Sequence, residues 1–263
     1  MNPRRVMALL RRHYYLYRSS WPRLLDLVYW PVMNLLLWGF LAIHLQRSGP
    51  DLPAVVPVLL GALILWDVLF RSQIGVAMVF LEEVWSRNLA ALFVSPLRPT
   101  EFMAVQICVG IARTGIAVVA MSILAGVLYG FNIIDIGLPL VAFFANLLLM
   151  GWSVGLFVSG LILRLGQGAE SLAWALIFLF QPIAAVFYPV DVLPGWLQPV
   201  SWATPAANVF EGMRQVIAGD GFAWALFWRA LGLNAIYLAA GAGFFLLMFR
   251  HARREGMLLQ VGE

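Results

Sequence analysis

Asp67 and Arg71 stand four residues apart inside the run PVLLGALILWDVLFRSQIGVAMVF, among neighbours that are almost all apolar or aromatic. On a helix this spacing puts the two side chains on one face, where each neutralises the other. A lone charge at such a place in a bilayer would cost about 3 kcal/mol or more. The pair is therefore expected to face a cavity or a bundle interior. Trp66, Ser72 and Gln73 extend it into a mixed polar and aromatic surface. Two readings stay open. In one, Trp66, Asp67, Arg71 and Gln73 line a path for polar cargo; in the other, the pair only fixes helix packing.

Little else in the sequence points to catalysis. The three histidines, His13, His44 and His251, lie near the ends of apolar runs, and no run carries a paired histidine or acidic ligand motif, so no metal site is expected. Glu82, Glu83 and Glu101 are acids at segment boundaries, where docking or helix-end roles suit them better than proton transfer. All 17 basic residues are arginine. Without lysine there is no GxxxxGK[ST] loop. If ATP drives this protein, the ATP and its magnesium sit on a partner chain and no cofactor binds here. Cys108 is the single cysteine, expected as a small buried thiol.

The elements that must hold these residues are membrane helices. Of 263 residues, 62% are hydrophobic and 11% charged, far from the roughly half apolar and quarter charged make-up of soluble domains. Six runs approach the roughly 20 apolar residues that a span requires: Leu24–His44, Ala54–Phe80, Phe102–Tyr129, Leu138–Leu163, Ser171–Phe187 and Phe222–Phe249. An all-α integral membrane protein forming one transmembrane domain is expected. Proline predicts kinks at Pro31 and Pro182, and Gly151 and Gly155 allow close helix approach. No cleavable leader is expected in the first residues.

Arginine sets the orientation. With both termini in the cytoplasm, the inner side holds Arg4, Arg5, Arg11, Arg12, Arg18, Arg23, Arg87, Arg98, Arg164, Arg250, Arg253 and Arg254, against Arg47, Arg214 and Arg229 outside. That bias obeys the positive-inside rule. It also explains the basic pI of 9.6 without nucleic acid. Arg113, within the third run, is expected to snorkel inward.

Residues 1–22 read as an amphipathic helix. Arg4, Arg5, Arg11, Arg12 and Arg18 share one face; Val6, Leu9, Leu10, His13, Leu16, Tyr17 and Trp21 share the other. Such a helix lies in the inner headgroup layer, beside membrane lipid, as an anchor or a mechanical element. After the second run, residues 81–95 place Leu81, Val84, Trp85, Leu89, Leu92 and Phe93 at helical spacing, with Glu83 and Arg87 able to pair. Prolines at 96 and 99 then stop the helix. This element is either a solvated connector or a docking foot, and its apolar side favours the foot.

Residues 188–218 are oily yet broken by Pro189, Pro194, Pro199 and Pro205. Broken backbone is tolerated at membrane depth only where protein or a water-filled cavity covers it. Asn208, Glu211 and Arg214 fall on one side, facing water or a partner copy. The segment is either a re-entrant gate or an interfacial outer loop.

The stretches LFVSPLRPTEF and FYPVDVLPGWLQPVSWATPAANVFEGMR, in this order between these runs, resemble the ABC-2 family of ABC transporter permeases. The likeness is closest to export permeases for polysaccharides, lipo-oligosaccharides and drugs, and covers nearly the whole chain. The resemblance implies six spans in the bacterial inner membrane, a second permease copy as homodimer partner, and two ATP-binding cassette subunits docked beneath. It makes Leu81, Glu82, Glu83, Trp85, Arg87, Leu89 and Leu92 part of the coupling helix. It makes residues 1–22 the interface helix. It makes Tyr188, Pro189, Trp196, Trp202, Glu211 and Arg214 part of the outer gate. A membrane-embedded lipid-modifying enzyme and a non-transporting scaffold are the competing readings.

Overall fold

The computed structural model describes residues 3–48, 55–85 and 98–254. These are helical almost throughout: α1 Pro3–Arg18, α2 Trp21–Ser48, α3 Val55–Trp85, α4 Pro99–Tyr129, α5 Leu138–Leu165, α6 Glu170–Ile183, α7 Gln198–Trp202, α8 Pro205–Ala218 and α9 Trp224–Arg254. Five of them, α2, α3, α4, α5 and α9, are long and apolar enough to cross a membrane. The fold is an all-α integral membrane protein.

The bundle is built around α3. Its most apolar stretch is 82% buried, against 17% for α9 and 28% for α2 and α4. It packs chiefly on α5 and α4, and α5 in turn packs along α9. Lipid gives apolar side chains no reason to leave it, so helices associate through close packing and interhelical hydrogen bonds. Both are present. A Cβ at Gly151 would stand 2.9 Å from the Leu69 carbonyl oxygen, and one at Gly155 would stand 2.8 Å from that of Gln73, so α5 meets the α3 backbone directly. Gln106 Nε2 donates to the Val76 carbonyl at 3.1 Å, joining α4 to α3. Asn234 Nδ2 donates to the Asn146 carbonyl at 3.0 Å and to Asn146 Oδ1 at 2.9 Å, joining α9 to α5. The Tyr129 hydroxyl reaches the Leu35 and Leu36 carbonyls of α2. The Ser153 hydroxyl instead bonds its own helix, at Leu149.

The amphipathic start of the chain does more than lie beside the bundle. Val6, Leu9, Leu10 and Tyr17 of α1 pack on Val105 and Val109 of α4. At one end Arg5 Nη1 comes within 3.8 Å of Glu101 Oε2. The same carboxylate accepts the Arg98 backbone N–H at 3.0 Å, so Glu101 caps the start of α4 while receiving α1. The helix stops at Arg18; Trp21, read as part of its apolar face, opens α2 and is 70% exposed.

Two boundaries differ from the sequence reading. α3 runs on to Trp85, so Leu81, Glu82, Glu83 and Trp85 form its last turns. Arg87, Leu89 and Leu92, with the rest of the expected coupling helix, lie outside the described residues. The fifth run ends at Ile183 instead of Phe187. Its 14 residues span about 21 Å, less than the roughly 30 Å of a hydrocarbon core. Pro182 lies inside its last turn, and the helix stops where Ala185 takes a left-handed conformation.

The α3–α5 contact yields a direct comparison. Gly151→Ala should destabilise the detergent-purified protein by about 1–3 kcal/mol, because the new methyl meets the Ser72 side chain and the Leu69 carbonyl of α3. Gly243→Ala, with nothing within 4 Å of its Cβ, should be neutral or slightly stabilising. Thermal midpoints of the two variants check this.

Candidate functional site

Four helices enclose a cavity of about 370 Å³ beside α3. Trp30 and Asn34 come from α2, one turn apart; Phe70, Arg71, Ile74 and Gly75 from α3; Arg113 from α4; Trp174 and Phe178, again one turn apart, from α6. The aromatic side is continuous, with the Phe70 ring 6.0 Å from Trp174 and 5.6 Å from Phe178.

The charges are arranged unevenly. Arg71 Nε donates to Asp67 Oδ2 at 2.7 Å, and both side chains are largely buried. That one bond uses a single donor of the five on a guanidinium. The two terminal amino groups of Arg71 have no partner among the described residues. Arg113 lies with its guanidinium carbon 5.4 Å from the centre of the Tyr17 ring, a cation–π contact that tethers it to α1. Its Nη1 is buried and makes no hydrogen bond. Among the described residues no carboxylate lies within ion-pair distance of Arg113. One negative charge thus stands against two positive ones.

Of the residues singled out in the second span, Arg71 lines the cavity and Asp67 holds it in place. Trp66 and Gln73 are buried in helix contacts and do not line it. Trp30, Asn34, Phe70, Trp174 and Phe178 were not anticipated. The signal for them is a repeat at four-residue spacing, Trp30 with Asn34 and Trp174 with Phe178, on runs that otherwise look uniform.

A second polar device follows α6. After Pro182 the chain turns through Ala185, whose φ of 49° is left-handed. A left-handed turn at an alanine needs support from outside, and its carbonyls need donors. Arg214 of α8 supplies both, with Nη2 to the Ala185 carbonyl at 3.0 Å and Nη1 to that of Val186 at 3.3 Å. Glu211 holds Arg214 at 3.2 Å and accepts the Val190 N–H at 2.6 Å. The Tyr188 hydroxyl reaches back to the Pro182 carbonyl at 2.9 Å. Asn208 Nδ2 bonds the Trp202 and Thr204 carbonyls. So Asn208, Glu211 and Arg214 face the preceding limb, and the expectation that they face water or a partner copy is corrected. Three orphaned backbone groups on that limb explain the direction.

The hairpin folds down into the bundle. The Tyr237 hydroxyl bonds the Ala203 carbonyl at the α7–α8 corner, and Tyr237 lies thirteen residues past the start of α9, about 20 Å along the helix. Trp202 sits under Arg229 at 5.4 Å. Pro189 leads into the short turn Val190–Val192. Trp196 is 76% exposed at the tip.

The profile of the ABC-2 type transporter family matches residues 4–218, which include α1, the cavity and the α7–α8 hairpin. The chain belongs to that family: it is an ABC transporter permease, a multi-pass membrane protein whose family implies an ATP-binding cassette partner. No curated protein matches the chain significantly.

Removing the Glu211 carboxylate should free the turn it holds. In Glu211→Ala the Val190 amide should exchange with solvent about tenfold faster or more. Glu211→Gln, which keeps an acceptor oxygen, should fall between. Hydrogen-exchange mass spectrometry of residues 184–194 reads both.

Proposed function

We propose that this chain is the permease subunit of an exporter in the bacterial inner membrane. Two copies pair, and two ATP-binding subunits dock on the cytoplasmic side. The cargo is a glycan, a glycolipid or a drug-like molecule. The observation that carries this reading is the cavity: Arg71, held by Asp67, and a second arginine line an open, aromatic-walled space among the helices.

The arginine bias puts the α1 end of the bundle in the cytoplasm. Leu81, Glu82, Glu83 and Trp85, at the end of α3, fall on that side and begin the coupling element. A push there is delivered to the central helix, which carries Asp67 and Arg71 about three to five turns away. The α7–α8 hairpin then lies on the outer side as a re-entrant gate. Its depth against α9 and its internally satisfied backbone support that role. Alternating exposure of the cavity requires the cargo to bind the two states unequally.

Co-expression with candidate ATP-binding cassette ATPases from the same genome tests the proposal. The ATPase should remain bound through purification, and Glu82→Arg with Glu83→Arg should release it. Arg71→Gln should keep the ATPase but lower ATP-driven transport in proteoliposomes about tenfold or more, as expected when a buried pair loses one member. A chain that never retains an ATPase would end this reading.

A further inference from the structure

We propose that Arg113 is the headgroup-recognition residue of a two-compartment site for an anionic amphiphile. The site rests on the transport reading only in that the amphiphile would be cargo.

Arg113 lines two spaces at once. On one side is the aromatic cavity with Arg71. On the other is a groove of about 440 Å³ between α1, α2 and α4; Leu10, Leu27, Val109, Ala112 and Ile116 make its exposed surface almost wholly apolar, and His13 and Arg18 of α1 also border it. The cavity offers polar groups: the terminal donors of Arg71, the guanidinium of Arg113 and the exposed Asn34. The groove offers alkyl and aromatic surface. A polar compartment with surplus positive charge, joined to an apolar one at a single arginine, fits a molecule with a negative head and an oily tail.

The charge balance selects an anion. Asp67 cancels Arg71, while Tyr17 gives Arg113 a ring face, which is attractive but carries no net charge. A partly buried guanidinium recognises phosphate or carboxylate oxygens through paired N–H donors. Each space is of the size that takes one part of a small amphiphile. Tyr17 makes α1 part of the site, because its ring holds Arg113 at the junction. Phosphate esters and carboxylates share this chemistry, and a free anion shares the head without the tail.

Cys108, expected to be buried, is instead exposed on the groove, and as the single cysteine it reports on that space without any engineering. Alkylation of Cys108 by N-ethylmaleimide is timed on the full chain in detergent. Four probes are compared: dihexanoyl phosphatidic acid, a hexanoyl-chain carboxylate amphiphile, dihexanoyl phosphatidylcholine and inorganic phosphate. Both anionic amphiphiles should slow the reaction saturably; phosphatidylcholine should do so only at much higher concentration, and inorganic phosphate not at all. Arg113→Gln should raise the protecting concentration about tenfold or more, with Arg113→Lys between. Ala112→Trp, which fills the groove and leaves the charges alone, should abolish protection too. Equal protection by phosphatidylcholine and phosphatidic acid would overturn the proposal, as would protection by phosphate alone or protection unchanged in both Arg113→Gln and Ala112→Trp. Retention of the ATPase is scored separately. Loss of protection with the ATPase retained sinks only this site; protection without an ATPase sinks only the transport reading.

Discussion

A bilayer offers no water to a buried charge or an open carbonyl, so this chain must satisfy each from within. The Asp67–Arg71 bond is the central case. It lets α3, the most buried helix, carry two charges into the bundle and turn Arg71 toward a space instead of toward lipid. The partnering is incomplete by design of the geometry: Asp67 takes one donor of Arg71 and leaves the rest facing the cavity. The same constraint governs the α6–α8 link. There the chain leaves the helix at the left-handed Ala185, and Arg214 with Glu211 supplies the donors and acceptor that the broken backbone lacks.

These devices share helices. α6 gives Trp174 and Phe178 to the cavity wall and ends in the turn that Arg214 holds. α4 is capped by Glu101, which also receives Arg5, and farther along it presents Arg113 to Tyr17. α1 is thus docked at two points on α4, one at the cap and one at the cavity. α1 and the α7–α8 hairpin therefore each bear on a helix that walls the cavity, α4 and α6 respectively.

Much of this was legible in the sequence, because membrane helices announce themselves by length and apolarity. The close approach at Gly151 and Gly155 followed from residue size, and the Asp67–Arg71 bond from spacing. What escaped were facts of rotation. Trp30 and Trp174 look like belt aromatics in a linear text; only the tertiary arrangement decides that they face Arg71. Asn208, Glu211 and Arg214 were placed on one side correctly, yet which side turned on the needs of Ala185, Val186 and Val190. Trp66 and Gln73 share the polar neighbourhood of Asp67 in sequence but point into helix contacts. The end of α6 at Ile183 was masked by apolar residues that continue past Pro182.

The claim at the centre is that polar space, reachable by water, exists among α2, α3, α4 and α6. Single cysteines placed at Asn34, Phe178 and Ile123, with Cys108 replaced by alanine, test it in sealed vesicles with a charged, membrane-impermeant thiol reagent. Asn34 and Phe178 border the cavity, whereas Ile123 is exposed on the outside of α4. Cysteines at 34 and 178 should react from one side of the membrane while one at 123 stays inert. Cysteines at 34 and 178 as unreactive as the one at 123 would contradict the cavity, and with it the role given to Asp67 and Arg71.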